Sequence, residues 1–230
     1  MFISEIFHTV QGEGMYTGVP STFVRTSGCN LRCDWCDTPY TSWKPEGTHD
    51  KMEEVLAKID EITPNTTTHV VITGGEPYLQ KDLDILVKEL YDRGKTVTIE
   101  TNGIMYRDIN GTGLVSWSPK MDNSNPLDKS LPEYKLHTNN RAKANYKNVA
   151  DTVEDLQVKF VVQSEKDLQT VLDFQQKYWI PNDQIYLMPE GRTEAELKTK
   201  AKWVVEICKE KGFRYCPRAH IEIYGQKRGV

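Results

Sequence analysis

With 230 residues, the chain is long enough for one large core or two small domains. Its 38 % hydrophobic and 27 % charged residues are those of an ordinary globular protein, which excludes a disordered or fibrous one. Lys and Arg (29) nearly balance Asp and Glu (33), and no long basic run occurs, so electrostatics gives a nucleic-acid partner no support. No apolar run reaches membrane-spanning length, and the opening MFISEIFHTVQGEG lacks the basic and apolar regions of a signal peptide. A cytoplasmic location is therefore expected, where clustered cysteines bind metal or do redox chemistry more often than they form disulfides.

In chain order, PSTFVRTSG (20–28) reads as a strand ending on Gly28, directly before a cysteine-rich loop. From Asp50, taken as N-cap, Met52, Val55, Leu56 and Ile59 recur at helical spacing. THVVITGGEP is a buried strand closed by two glycines. DLDILVKELYDRG follows as a helix with Leu83, Leu86, Val87 and Leu90 on one face and Gly94 at its end. KTVTIETNG and LVSWSPK are the next strands. The stretch 121–150, rich in Asn, Lys and Pro, is expected to be an irregular insertion or lid, too short for a core of its own. DLQVKFVV is a strand. SEKDLQTVLDFQQKY is a helix opened by Ser164, QIYLMPEG a strand, and TEAELKTKAKWVVEICKEKG a helix closed by Gly212. FRYCPRAHIEIYG is expected to finish in extended form. Strand and helix alternate about five times, which predicts parallel βαβ units in a single domain over 1–230. In such folds ligands gather at the carboxyl ends of the strands, where SGCN, TGGEP, ETNG, SPK and MPEG all fall.

Cys29, Cys33 and Cys36 stand four and three residues apart in CNLRCDWC. Three readings compete. Chance burial as small hydrophobes fits poorly with a polar loop. A structural zinc site needs a fourth ligand, and neither Cys208 nor Cys216 belongs to a second closely spaced pair. An iron–sulfur cluster held by three thiolates leaves one iron without a protein ligand, open to substrate or cofactor.

CNLRCDWC resembles the cluster motif of the radical S-adenosylmethionine enzymes, and TGGEP (73–77) resembles their second motif. The longer run TVQGEGMYTGVPSTFVRTSGCNLRCDWCDT is similar to the amino-terminal signature of the 7-carboxy-7-deazaguanine synthases, and PRAHIEIYGQKRGV to their ending. The resemblance leaves only 121–150 unmatched. It implies a partial TIM-type barrel of parallel strands, with the cluster loop after the first core strand. It also implies a [4Fe–4S] cluster, S-adenosylmethionine as a regenerated cofactor, and Mg2+. The implied reaction is that of a carbon–nitrogen lyase: ring contraction of 6-carboxy-5,6,7,8-tetrahydropterin to 7-carboxy-7-deazaguanine with release of ammonia. A small electron donor such as flavodoxin or ferredoxin is implied, and a homodimer.

Site roles follow from the resemblance position by position. Cys29, Cys33 and Cys36 would hold the cluster, and Thr38 the magnesium. The backbone of Trp35, Cys36 and Asp37, with Gly75, Glu76, Thr101, Ser118 and Lys120, would bind S-adenosylmethionine. Val10, Gln11, Gly12 and Glu13 would meet the pterin, Arg25 its carboxylate, and Thr73 would add a contact. His220 and the carboxylate of Val230 would close the pocket. Two other readings are an activating enzyme that makes glycyl radicals and a zinc- or cluster-stabilised binding module. The former does not usually carry QGEG or CDT.

Overall fold

The computed structural model describes residues 1–153 and 155–230. Its centre is one sheet. Strand β1 (Phe2–Val10) pairs antiparallel with β2 (Pro20–Thr26), and the short β3 (Thr48–His49) caps the free edge of β1. From β2 onward every pairing is parallel: β4 (His69–Gly74), β5 (Thr96–Thr101), β6 (Thr112–Trp117), β7 (Leu156–Val162), β8 (Ile185–Pro189) and β9 (Arg214–Tyr215). The order is β3-β1-β2-β4-β5-β6-β7-β8-β9, and among the described residues its two ends do not pair. The parallel order is the one that the alternation of elements predicts, and the open, partial barrel the one that the resemblance implies.

Helices coat the outer face because the strands alternate. In β7, Leu156, Val158, Phe160 and Val162 belong to the core beneath the helices, while Gln157 and Lys159 point to the other face. Helices α2 (Met52–Ile62) and α3 (Leu83–Asp92) bury Val55, Leu56, Ile59, Leu83, Leu86, Val87 and Leu90 against β1, β2, β4 and β5. Two further helices, α6 (Asp167–Tyr178) and α7 (Glu194–Lys211), cover the β6–β8 side. A four-residue helix α1 (Pro39–Ser42) follows the cysteine loop.

The structure departs from the sequence reading in four places. Helix α2 is capped at Lys51, not Asp50, by the Glu54 carboxylate that accepts the Lys51 N–H at 2.8 Å. Helix α6 starts at Asp167, whose carboxylate takes the N–H groups of Gln163 and Ser164. The stretch 121–150 is not irregular. It carries α4 (Pro132–Ala142), most of α5 (Tyr146–Thr152) and a 3-10 turn over Asp122–Ser124. Finally, the end of the chain is helical: after the two residues of β9 comes α8 (Ala219–Tyr224), ended by Gly225 at φ 65°. Both missed helical regions bury too few side chains to print a period on the sequence: α4 buries only His137, and α8 only Ile221.

Candidate active site

The carboxyl ends of the strands open into a cavity of about 470 Å³. Cys29, Cys33 and Cys36 all border it, and all are free thiols. Their loop is fastened from outside by hydrogen bonds to its own backbone. Trp43 Nε1 donates to Cys33 O at 3.0 Å, Arg192 Nη2 to Cys36 O at 2.8 Å, and Asn140 Nδ2 to Asn30 O at 2.7 Å. The Arg32 N–H donates to His137 Nδ1 at 3.1 Å, and Trp35 Nε1 reaches Asn123 O at 2.9 Å. Thus α4 and the turn before it serve as a brace for the cysteine loop.

Burial pushes the thiols of Cys29 and Cys33 up to about 12. Thiolates there need a cationic group at the sulfurs, as a metal centre supplies. Among the described residues no three Cys, His, Asp or Glu side chains stand close enough to share one metal ion. A cube takes its thiolates at separate corners and needs only three of them from the protein, whereas a closed zinc tetrahedron needs a fourth ligand. Neither remaining cysteine completes the set: Cys208 lies in the outer core, and Cys216 Sγ accepts the Gly14 N–H at 3.1 Å. The donor set fits a cluster with one open corner.

The second motif docks on the first. A Cβ on Gly75 would stand 2.0 Å from Gly28 O, and the Glu76 N–H donates to that carbonyl at 2.9 Å. Only glycine permits this approach. Glu76 differs from expectation. It is fully buried and does not border the cavity, because Thr101 Oγ1 (2.7 Å), Asn102 N (2.8 Å) and Tyr78 N (3.2 Å) take up its carboxylate. Its work in this conformation is to shape the turn after β5, from which Asn102 Nδ2 returns to Asn30 Oδ1 at 2.7 Å. Thr101, Ser118 and Lys120 do face the cavity beside Trp35, with the Lys120 ammonium 5.6 Å above the indole.

The QGEG loop enters from β1. Val10, Gln11, Gly12 and Glu13 all border the cavity. The Ala219 N–H donates to Gly12 O at 2.9 Å, and a Cβ on Gly12 would meet His220 Nδ1 at 2.1 Å, so glycine lets α8 close against this loop. His220 borders the cavity from that helix rather than from a strand, and so do residues 225–230 of the tail. Arg25, Thr73, Asp37 and Thr38 border it as well.

Three polar side chains that motif reading passed over, Lys159, Glu100 and Arg218, complete the site. Lys159, 2 % exposed, donates to Glu13 Oε2 at 2.9 Å and to Glu100 Oε2 at 3.0 Å. Gln11 Nε2 reaches Glu100 Oε1 at 3.1 Å. Arg218 spans Glu13 Oε1 (3.1 Å), Gly191 O (2.6 Å) and the Asp37 carboxylate. Burial alone would raise the Glu13 carboxyl, but Lys159 and Arg218 outweigh it and hold that group well below the usual carboxylate range. Burial likewise opposes the charge on Lys159, yet Glu100 and Glu13 keep it protonated. Burial lowers the His220 imidazole. The sequence signal was the alternation in DLQVKFVV and TIET: polar residues at every second position inside a strand face a lumen, not solvent.

A family model described as Radical SAM superfamily matches residues 23–164. The 7-carboxy-7-deazaguanine synthase of Rhodopirellula baltica is 40 % identical over 232 aligned residues, which cover all of this chain and 89 % of that protein. The Halobacterium salinarum protein of the same name is 37 % identical, over 96 % of this chain and 90 % of its own. Among solved structures, QueE from Escherichia coli superposes with a TM-score of 0.67 at 26 % identity, covering 95 % of this chain and 94 % of that one.

Proposed function

Since this chain belongs to the radical S-adenosylmethionine superfamily and, within it, to the 7-carboxy-7-deazaguanine synthases, we propose that it contracts the ring of 6-carboxy-5,6,7,8-tetrahydropterin and releases ammonia. The observation that carries the reading is the meeting of three elements at one cavity: the thiols of Cys29, Cys33 and Cys36, the QGEG loop, and Arg25. When bound, the cluster and S-adenosylmethionine supply a one-electron cleavage that yields methionine and a 5′-deoxyadenosyl radical.

The chain's own residues then have separable tasks. The amide of Gln11 and the open backbone at Gly12 suit the donor–acceptor edge of the pterin ring. Arg25 suits its carboxylate, because a guanidinium fork matches two oxygens. Glu13, held anionic by Lys159 and Arg218, is a poor proton acceptor and serves as a fixed acceptor for ring N–H groups. The Thr38 hydroxyl borders the cavity, where it would give magnesium one protein oxygen, with ligand and water supplying the rest. Precise seating matters, since a radical at a fixed carbon takes the right hydrogen from only one pose.

The test is anaerobic cluster reconstitution, followed by incubation with the carboxytetrahydropterin, S-adenosylmethionine, magnesium and dithionite. Mass spectrometry is expected to detect 7-carboxy-7-deazaguanine, in lower yield when magnesium is left out. Cleavage of S-adenosylmethionine with the pterin untouched overturns the reading.

A further inference from the structure

Glu5 lies in the same cavity, outside the residues that the motifs single out. The β1–β2 register slips between Ile3 and Glu5, so Ser4 is the extra residue of a bulge. Bulges re-aim side chains. This one keeps Ile3 and Ile6 in the outer core while Glu5 stands directly opposite Arg25. Arg25 in turn stands opposite Thr73 on β4, so Glu5, Arg25 and Thr73 form one row at the mouth.

The contacts within that row are selective. Glu5 Oε1 accepts the Arg25 Nε–H at 2.7 Å and the Tyr40 hydroxyl at 3.0 Å. Glu5 and Arg25 are each 18 % exposed, and the guanidinium lies 5.5 Å above the Phe7 ring, itself stacked on Phe23. Burial pushes the Tyr40 phenol up to about 12, so it remains a donor near neutral pH. Among the described residues the Arg25 side chain makes no other hydrogen bond, which leaves both Nη groups for a ligand. Tyr40 is fixed from its far side as well: the Arg228 guanidinium lies 3.5 Å from its ring centroid and reaches Glu46 at 3.3 Å.

We propose that Glu5, braced by Tyr40, is a positioning residue for Arg25: it takes the Nε–H, fixes the plane of the guanidinium, and leaves the two Nη groups as a fork for the ligand's carboxylate. The inference rests on the pterin reading above. It adds that the carboxylate is recognised by geometry more than by net charge, because Glu5 already neutralises Arg25. It also ties this recognition to the tail, through the Arg228–Tyr40 stack.

Binding of two probes to the cluster-loaded enzyme tests the idea: 6-carboxytetrahydropterin, and the same ring without its carboxylate. Iron content reports whether each variant folds. Glu5→Ala is expected to weaken the carboxylated probe about 10- to 100-fold, the loss of one hydrogen bond to a charged group, and to leave the other probe unaffected. Glu5→Gln, whose amide oxygen still accepts from Nε, is expected to restore most of the affinity. Tighter binding of the carboxylated probe by Glu5→Ala would make Glu5 a competitor for Arg25 and overturn the proposal, as would equal weakening of both probes. Arg25→Ala separates the levels. If it abolishes the preference for the carboxylate and Glu5→Ala leaves that preference unchanged, Arg25 stands and the positioning role alone falls. If it leaves the preference intact, the assigned role of Arg25 fails and the role of Glu5 fails with it.

Discussion

Arg218 joins three loops that are distant in sequence: the QGEG loop through Glu13, the cysteine loop through Asp37, and the loop after β8 through Gly191 O. A lysine has one ammonium on a flexible stem and cannot span three partners in fixed directions. Arg218→Ala leaves Glu13 buried beside Lys159 alone, a loss expected to cost about 3 kcal/mol or more. A chain of this size then melts about 6 °C or more lower, measured by thermal denaturation of the as-isolated protein, and Arg218→Lys is expected to recover only part of that. An unchanged Tm in Arg218→Ala would show that the three loops hold without it. His69 supplies a second test at this scale. It is buried between Ser21 Oγ (2.7 Å) and Thr98 Oγ1 (2.8 Å), and burial lowers its imidazole to about 4. The folded-state value lies below the unfolded one, so the unfolded chain binds the extra proton. Stability is full above about pH 6.5 and declines as pH falls from there towards about 4. The Tm of the wild type is expected to fall more steeply over that window than the Tm of His69→Gln; parallel slopes would rule the idea out. Residues of this kind escape sequence reading for a physical reason. Cys29, Cys33 and Cys36 announce themselves because thiols at that spacing have few uses, whereas Lys159, Glu100 and Arg218 are common residues whose role comes only from facing inward across the sheet.

At the scale of elements, the repeating strands and helices were legible because each buries a periodic apolar face. In α3 that face is Leu83, Leu86, Val87 and Leu90. Helices α4 and α5 lack that signal, since their attachment is largely polar and aromatic. His137 and Asn140 hold the cysteine loop, and Tyr146 packs 5.3 Å from Trp117. A bracing role makes a specific claim about metal retention. Asn140→Ala removes the donor to Asn30 O, worth about 1 kcal/mol, and iron loss to a chelator is expected to quicken about fivefold, by RT ln 5 ≈ 1 kcal/mol. The control is Asn139→Ala, an exposed neighbour on the same helix. Equal rates in the two variants would mean that α4 only covers the loop.

For the molecule as a whole, one hydrogen-bonded sheet spans two apolar cores, one under β1, β2, β4 and β5 and the other under β6 to β8. Tyr106 packs against both. The two cores meet where β5 pairs with β6, a joint of five residue pairs from Val97–Thr112 to Thr101–Trp117. Continuity of the sheet predicts a single calorimetric transition. Two resolved transitions would place the break at this joint. The parallel order was readable from the alternation of elements. How the sheet stops short of closing was not, because closure is decided by contacts such as Ala219 N to Gly12 O between the two ends of the sequence.

Trp35 and Trp43 both bond into the cysteine loop or its immediate support, while Trp179, 88 % exposed, sits at the end of α6. Because α6 runs back along the outside of the sheet after β7, its far end lies away from the carboxyl-end cavity. Iron–sulfur clusters absorb broadly where indoles emit, so the two groups of tryptophans should answer differently to loading. On reconstitution the emission of Trp35 and Trp43, and of Trp117 at the carboxyl end of β6, is expected to dim, while the red-shifted emission of Trp179 persists; replacing Trp35 and Trp43 with Phe would remove the loop's share of the part that dims. The loop that fastens the thiols would then double as an optical gauge of how many chains are filled, readable in the same cuvette as the chemistry.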